Sequence, residues 1–135
     1  MASKATFQCT LVTPGAAILD EKIVYASIPA HDGKIGVEHL QAPMLIKLGY
    51  GHLRLDLADG SSDSYFIGGG FVQVKDDVLS IITDEATLAT ELTVTEAEQQ
   101  LESLLAEEAK TGAELDEHDK SVQRARARVA VAKTN

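Results

Sequence analysis

The 135-residue sequence predicts a β-sandwich followed by an antiparallel helical hairpin. Up to about residue 90, apolar and polar side chains alternate with period two, interrupted roughly every six to ten residues by turn chemistry. From about Thr93 the texture changes. Glycine disappears apart from Gly112, Ala and Glu dominate, and the apolar spacing becomes helical. With 44% hydrophobic residues but only three Phe, three Tyr and no Trp, Val, Ile, Leu and Ala must fill the core. The expected division is a sandwich over 1–90 and a hairpin over 91–135.

The clearest strand is His52-Leu53-Arg54-Leu55-Asp56-Leu57, with its leucines on one face and His, Arg and Asp on the other. Asp59-Gly60 then supplies a hairpin turn with a residue tolerant of positive φ. Further strands are expected over Thr6 to Val12, Glu21 to Ile28, Lys34 to Val37, Met44 to Leu48, Ser64 to Ile67, Phe71 to Lys75 and Val78 to Thr83. Turns are expected at Pro14-Gly15, Asp32-Gly33, Gly49-Tyr50-Gly51, Gly68-Gly69-Gly70 and Asp76-Asp77. Many short strands without helix-length gaps favour antiparallel pairing.

Thr93-Val94-Thr95-Glu96 fits a capping box at the start of the first helix, with Val94, Ala97, Leu101, Leu104 and Leu105 on one stripe. Lys110-Thr111-Gly112 suits that helix's end. A second helix is expected from about Leu115 to Ala132. Its stripe of Leu115, His118, Val122, Ala125, Val129 and Ala132 is narrow and small, as close packing on a partner helix requires. Burying a Leu contributes about 1.5–3 kcal/mol against an ordering cost of about 1–2 kcal/mol per residue. The isolated hairpin should be marginal, able to dock and undock.

A net charge of −9 argues against a nucleic-acid binder, because phosphate contacts need clustered Lys and Arg. Met1 to Thr6 lacks the apolar core of a signal peptide, and no run of about 18 apolar residues could span a bilayer, so a cytoplasmic location is expected. Cys9, the single cysteine, lies on an alternating segment and should be a buried neutral thiol.

Candidate chemistry is sparse. Gly68-Gly69-Gly70 precedes a strand, not the helix a phosphate loop requires. His31, His39, His52 and His118 are scattered without metal-ligand spacing, and no Ser/His/Asp constellation stands out. No catalytic, metal or cofactor residue is assigned. Arg124, Arg126 and Arg128 place positive charge on the last helix of an acidic chain. Two roles stay open for them: pairing with Glu98, Glu102, Glu107 and Glu108 of the first helix, or meeting an acidic protein partner when the hairpin opens.

An ordered set of motifs then becomes informative. Leu11 to Gly15, Ile28-Pro29-Ala30-His31-Asp32-Gly33-Lys34-Ile35-Gly36-Val37, Gln41-Ala42-Pro43-Met44-Leu45, Gly51 to Leu55, Tyr65-Phe66-Ile67-Gly68-Gly69-Gly70-Phe71-Val72-Gln73-Val74 and Val78 to Ala86 together closely resemble the epsilon subunits of F-type ATP synthases. The resemblance spans about residues 6 to 90 and continues as a hairpin. It implies a ten-stranded sandwich at the foot of a rotating central stalk, with the gamma subunit and the c-ring as partners. It further implies coupling of ion flow to ATP synthesis and restraint of hydrolysis by the tail, which reaches the alpha/beta catalytic hexamer, on the cytoplasmic face of a bacterial membrane.

By the same resemblance, the c-ring side corresponds to His31, Asp32, Gly33 and Lys34 and to the Glu38 to Pro43 turn with His39, Gln41 and Pro43. Arg124, Arg126 and Arg128 would meet an acidic segment of the catalytic beta subunit. Two departures stand out. The family's Pro-Gly-His-Ala-Pro-Leu turn reads His39-Leu40-Gln41-Ala42-Pro43-Met44 here, losing Gly and His. The ATP motif of some members, Ile/Leu-Asp-x-x-Arg-Ala, reads Leu92-Thr93-Val94-Thr95-Glu96-Ala97, so Thr93 and Glu96 replace its Asp and Arg. Glu96 would repel phosphate by on the order of a few kcal/mol, and loss of ATP sensing is expected. Rival readings are a nucleotide-sensing regulator, a small sandwich enzyme with clustered titratable groups, and a scaffold dimerising through the Leu101 and Ala125 stripes.

Overall fold

A computed structural model of the chain describes residues 5–108 and 111–134. Strands β1 (Phe7–Thr13), β2 (Ala16–Ala30), β3 (Gly33–Val37), β4 (Met44–Leu57), β5 (Ser62–Lys75), β6 (Val78–Ile82) and β7 (Ala86–Leu88) come first. A single 3-10 turn at Ala89–Glu91 then leads to helices α1 (Val94–Leu105) and α2 (Gly112–Ala132).

Pairing runs β1–β6–β5–β4–β2, and β2 pairs back to β1, so five strands close on themselves. Strand β3 adds to β2 and β7 adds to β5. Closure leaves few open edges for stray pairing. Alternation in β1 turns Phe7, Cys9 and Leu11 inward, where they meet Ile23, Leu53, Leu55, Ile67, Val72, Leu79 and Ile81 in the principal core.

Seven strands are found among the described residues, not ten. The expected breaks at Gly49-Tyr50-Gly51 and Gly68-Gly69-Gly70 are bends inside continuous strands, with Leu48 opposite Gly70 and Tyr50 opposite Gly68. Strands β2, β4 and β5 are long enough to run through both faces of the closed sandwich, and β2 and β5 exchange a neighbour on the way. Strand β5, for instance, pairs β7 over Tyr65–Ile67 and β6 over Phe71–Lys75. The inward face switches parity at the bend: Met44, Ile46 and Leu48 pack on the core before it, and Leu53, Leu55 and Leu57 after it. Gly70 makes the bend possible. Its φ is +117°, and an added Cβ would strike the Ile82 carbonyl oxygen and lie 2.7 Å from Thr83 Cα. The pairing is also not wholly antiparallel, because β1 and β6 run parallel from Gln8–Val78 to Val12–Ile82.

A second core joins the hairpin to the sandwich: Phe66, Ala89, Leu92, Ala97, Val129, Val131 and Ala132. Helix α2 contacts β4, β5 and α1, so it lies between the sheet and α1. The helices are antiparallel: His118 Nδ1 is 3.0 Å from Glu107 Oε2 near the connection, and Lys133 Nζ is 3.7 Å from Glu98 Oε1 at the far ends. Three local expectations fail. Thr93 occupies the N-cap position with extended backbone but makes no side-chain cap bond, so the capping box with Glu96 does not form. Gly112, with φ +61°, opens α2 three residues before the expected start and does not end the first helix; Lys110 lies outside the described residues. Leu105 and Leu115 remain largely exposed because the stripes meet only over the middle and open end of the hairpin.

Candidate functional site

The short segment between β6 and β7 brings the hairpin's arginines to the sandwich. Buried Thr83 has Oγ1 2.5 Å from the Gly69 carbonyl and 3.0 Å from the Glu85 carbonyl, and Gly68 N–H donates to Glu85 O at 2.9 Å. These contacts fix the Glu85 backbone against the glycine bend. Its carboxylate then faces α2. Arg124 Nε donates to Glu85 Oε2 at 2.9 Å and its Nη2 contacts the same oxygen, while Arg128 Nη1 donates to Oε1 at 2.5 Å. One carboxylate therefore takes both cations, which a 4-residue helical spacing places on one face.

Phe66 completes the arrangement. It is fully buried, and the guanidinium carbons of Arg124 and Arg128 lie 5.9 and 5.2 Å from its ring centroid. The Arg128 side chain is 18% exposed and the Arg124 side chain 41%, so the first carries more of the electrostatic weight. Arg128 Nε is buried without a hydrogen-bond partner among the described residues. Among the described residues, neither cation pairs with the acidic residues of α1, contrary to one of the two roles left open by the sequence. Arg126 is exposed and has no ion pair among the described residues.

The two segments expected on one side of the sandwich sit at opposite ends of β3, roughly 13 Å apart at about 3.3 Å per residue. His31, Asp32, Gly33 and Lys34 are exposed at the β2–β3 turn. His31 borders a cleft of about 740 Å³ that also takes in Lys47, Phe71, Asp84 and Lys120. His39, Gln41 and Pro43 lie at the other end, where Asp77 holds the turn: its carboxylate accepts the Leu40 N–H at 2.8 Å and lies 2.8 Å from His39 Nδ1. Leu40 stands where the family places Gly and still takes φ +60° with its side chain 76% exposed. For a non-glycine residue this backbone costs roughly 1–2 kcal/mol, which the two Asp77 contacts offset.

For an enzyme, titratable groups should converge. In the 740 Å³ cleft, no hydrogen bond among the described residues joins the side chains of His31, Lys47, Asp84 and Lys120, and no group of metal-ligating residues occurs among the described residues. At the degraded ATP motif, Leu92 and Ala97 are buried in the hairpin core, while Glu96 borders an interhelical cleft with Arg124 and Ser121. An acid there opposes a phosphate.

The family model for the ATP synthase delta/epsilon chain β-sandwich domain matches residues 6–89. An ATP synthase epsilon chain of Rhodopirellula baltica is 37% identical over 121 residues, 90% of this chain and 94% of the relative. This chain belongs to the ATP synthase delta/epsilon family. A chain of the Euglena gracilis mitochondrial ATP synthase OSCP/F1/c-ring assembly superposes with a TM-score of 0.85 at 24% identity, covering 100% of this chain and 85% of that one. One from the Tetrahymena thermophila mitochondrial ATP synthase central stalk and c-ring gives 0.74 at 17%, covering 97% and 99%. Both share the fold of this family member, hairpin included.

Sequence reasoning singled out Arg124 and Arg128 but missed Glu85 and Phe66. Glu85 lies in an ordinary Thr-Asp-Glu stretch after a strand, and Phe66 reads as one more strand residue. Only the pairing of β7 with β5 puts them under α2.

Proposed function

We propose that the chain is a non-catalytic rotor subunit in the central stalk of an F-type ATP synthase, coupling ion flow to ATP synthesis and modulating hydrolysis through its hairpin. Family membership, with the match to an epsilon chain over 90% of the sequence, carries this reading. Residues 1–90 bind the gamma subunit and the c-ring, and residues 91–135 regulate. The turn of His39, Gln41 and Pro43 is the better-built c-ring contact, because Asp77 fixes it and Leu40 projects from it. The His31 to Lys34 turn is a second contact at the other end of β3.

Arg124 and Arg128 are held by Glu85 while the hairpin is docked and become available to an acidic segment of the alpha/beta hexamer when it undocks; Arg126 is exposed in the docked form. The complex holds the subunit at the cytoplasmic face of a bacterial inner membrane. Among the described residues no helix is long and apolar enough to cross a membrane. ATP is not a ligand of the tail, given Glu96.

Copurification of the tagged full chain with gamma subunit tests the assignment, and the hydrolysis rate of the complex, with and without residues 91–135, tests the regulatory half. Gamma capture together with faster hydrolysis on tail removal is expected. Failure to capture gamma would refute the rotor role, and an unchanged rate would refute the regulatory one.

A further inference from the structure

On the outward face of β4, Tyr50, His52 and Arg54 follow one another at alternate positions, and His52 is the cross-strand partner of Phe66. Phe66 is buried in the core that joins the hairpin to the sandwich, and Tyr50 packs against that core. His52 therefore sits at the border of the surface the hairpin covers. Its Nε2 is buried and has no hydrogen-bond partner among the described residues. An orphaned ring nitrogen between two separable units departs from the rule that buried polar atoms are paired.

A neutral imidazole tolerates this position, because an unbonded nitrogen lone pair costs far less than a desolvated cation. Imidazolium does not. Both its nitrogens carry protons, and the one on Nε2 is shut off from solvent while the hairpin is docked. Burial, and then the charges of Lys34 on β3 and Arg54 on β4, hold the His52 pKa below the ordinary 6.5. The charges that α2 brings over Phe66 are cations too, Arg124 and Arg128, and the acid between them, Glu85, is already shared by both. Asp56, further along the outward face of β4, is paired with Arg54 at 3.2 Å. Strand β5 offers Phe66 opposite, flanked by Gly68 and Ser64, and no ionisable group.

We propose that His52 is a proton-operated release for the hairpin, which lies firmly on the sandwich while this imidazole is neutral and is loosened when it takes up a proton. The release deepens the regulatory half of the proposed function by giving the tail a control. With the docked value below the free one, docking is unpenalised above pH 6.5 and weakens as pH falls below it, by at most about tenfold per pH unit. The tail's own histidine acts elsewhere. A charged His118 would hold Glu107, 3.0 Å away, more firmly, which strengthens the pairing of α1 with α2 and leaves the contact with the sandwich untouched.

Amide exchange of the full chain at about pH 7.5 and about pH 5, corrected for intrinsic rates, reads the opening of α2. Protection of α2 should fall about threefold or more between the two and stay below that of β1 and β6 at both. The fall should be nearly lost in His52→Gln and kept in His118→Gln. NMR titration of the His52 ring in the unsubstituted chain needs no variant to fold, and its midpoint should lie below 6.5. A midpoint at or above that value overturns the proposal. So does the absence of a fall in the unsubstituted chain, a fall that survives in His52→Gln or disappears in His118→Gln, or α2 protection equal to that of β1 and β6, which would place the linkage in global unfolding. These readouts are separate from the regulatory reading: if they hold while tail removal leaves hydrolysis unchanged, the release stands and regulation falls, and in the converse case the release falls alone.

Discussion

Replacing Glu85 by Ala should loosen the hairpin without unfolding the sandwich. The carboxylate accepts from two guanidinium groups, and a hydrogen bond to a charged group contributes about 1.5–3 kcal/mol. The Arg124 contact must be discounted, because that side chain is 41% exposed and water screens it. Arg128, at 18%, keeps most of its share and would be left half-desolvated over Phe66. The net loss is about 2 kcal/mol, or roughly a thirtyfold shift from docked to open hairpin, at 1.4 kcal/mol per factor of ten. Native-state amide exchange reads this directly: protection of α2 should fall by about that factor while β1 and β6 amides keep theirs. Arg128→Ala should cost more than Arg124→Ala by the same measure. A change in α2 smaller than about threefold, or an equal loss in β1 and β6, would show that Glu85 does not hold the hairpin specifically.

Three further outcomes follow from the geometry. Gly70→Ala should lower stability by about 3 kcal/mol or more, read as a drop in Tm, since the added Cβ meets the Ile82 carbonyl and the backbone is left-handed. Burial, with Lys34 and Arg54 nearby, holds the His52 imidazole below its ordinary 6.5. Above pH 6.5 it contributes nothing; as pH falls through that value the unfolded chain takes up the proton first and stability declines, so His52→Gln should reduce the fall of the denaturant midpoint below pH 6.5 and leave it unchanged above. Burial, with Asp20 adding to it, pushes the Cys9 thiol up to about 12, and alkylation of the native protein near neutral pH should be limited by the rate of unfolding.

Strands whose alternation is clean were legible to within a residue or so, as Phe7–Thr13, Gly33–Val37 and Val78–Ile82 illustrate. What escaped was information held by pairing. The glycines at 49, 51 and 68–70 read as breaks because glycine permits either a turn or a bend, and only a partner strand across the bend decides between them. Strand β7, three residues long, has no period to detect. At the candidate site, the cations were visible as a charge cluster on an acidic chain, while the acid that receives them lies 39 and 43 positions away in sequence. Thr93 shows the converse limit: the right residue at the right position makes no cap bond.

The passage of β2, β4 and β5 through both layers has a mechanical consequence. In a sandwich built of separate sheets, a sideways pull on one layer is resisted by side-chain packing alone, and packed surfaces can slip. Here three covalent backbones carry such a force from one layer to the other, and a parallel ladder between β1 and β6 with closure through β2 prevents the ring from opening at a seam. A torque applied at the Asp77 end of the domain therefore reaches the Glu85 end with little lost to internal shear, and the hairpin alone is left free to yield.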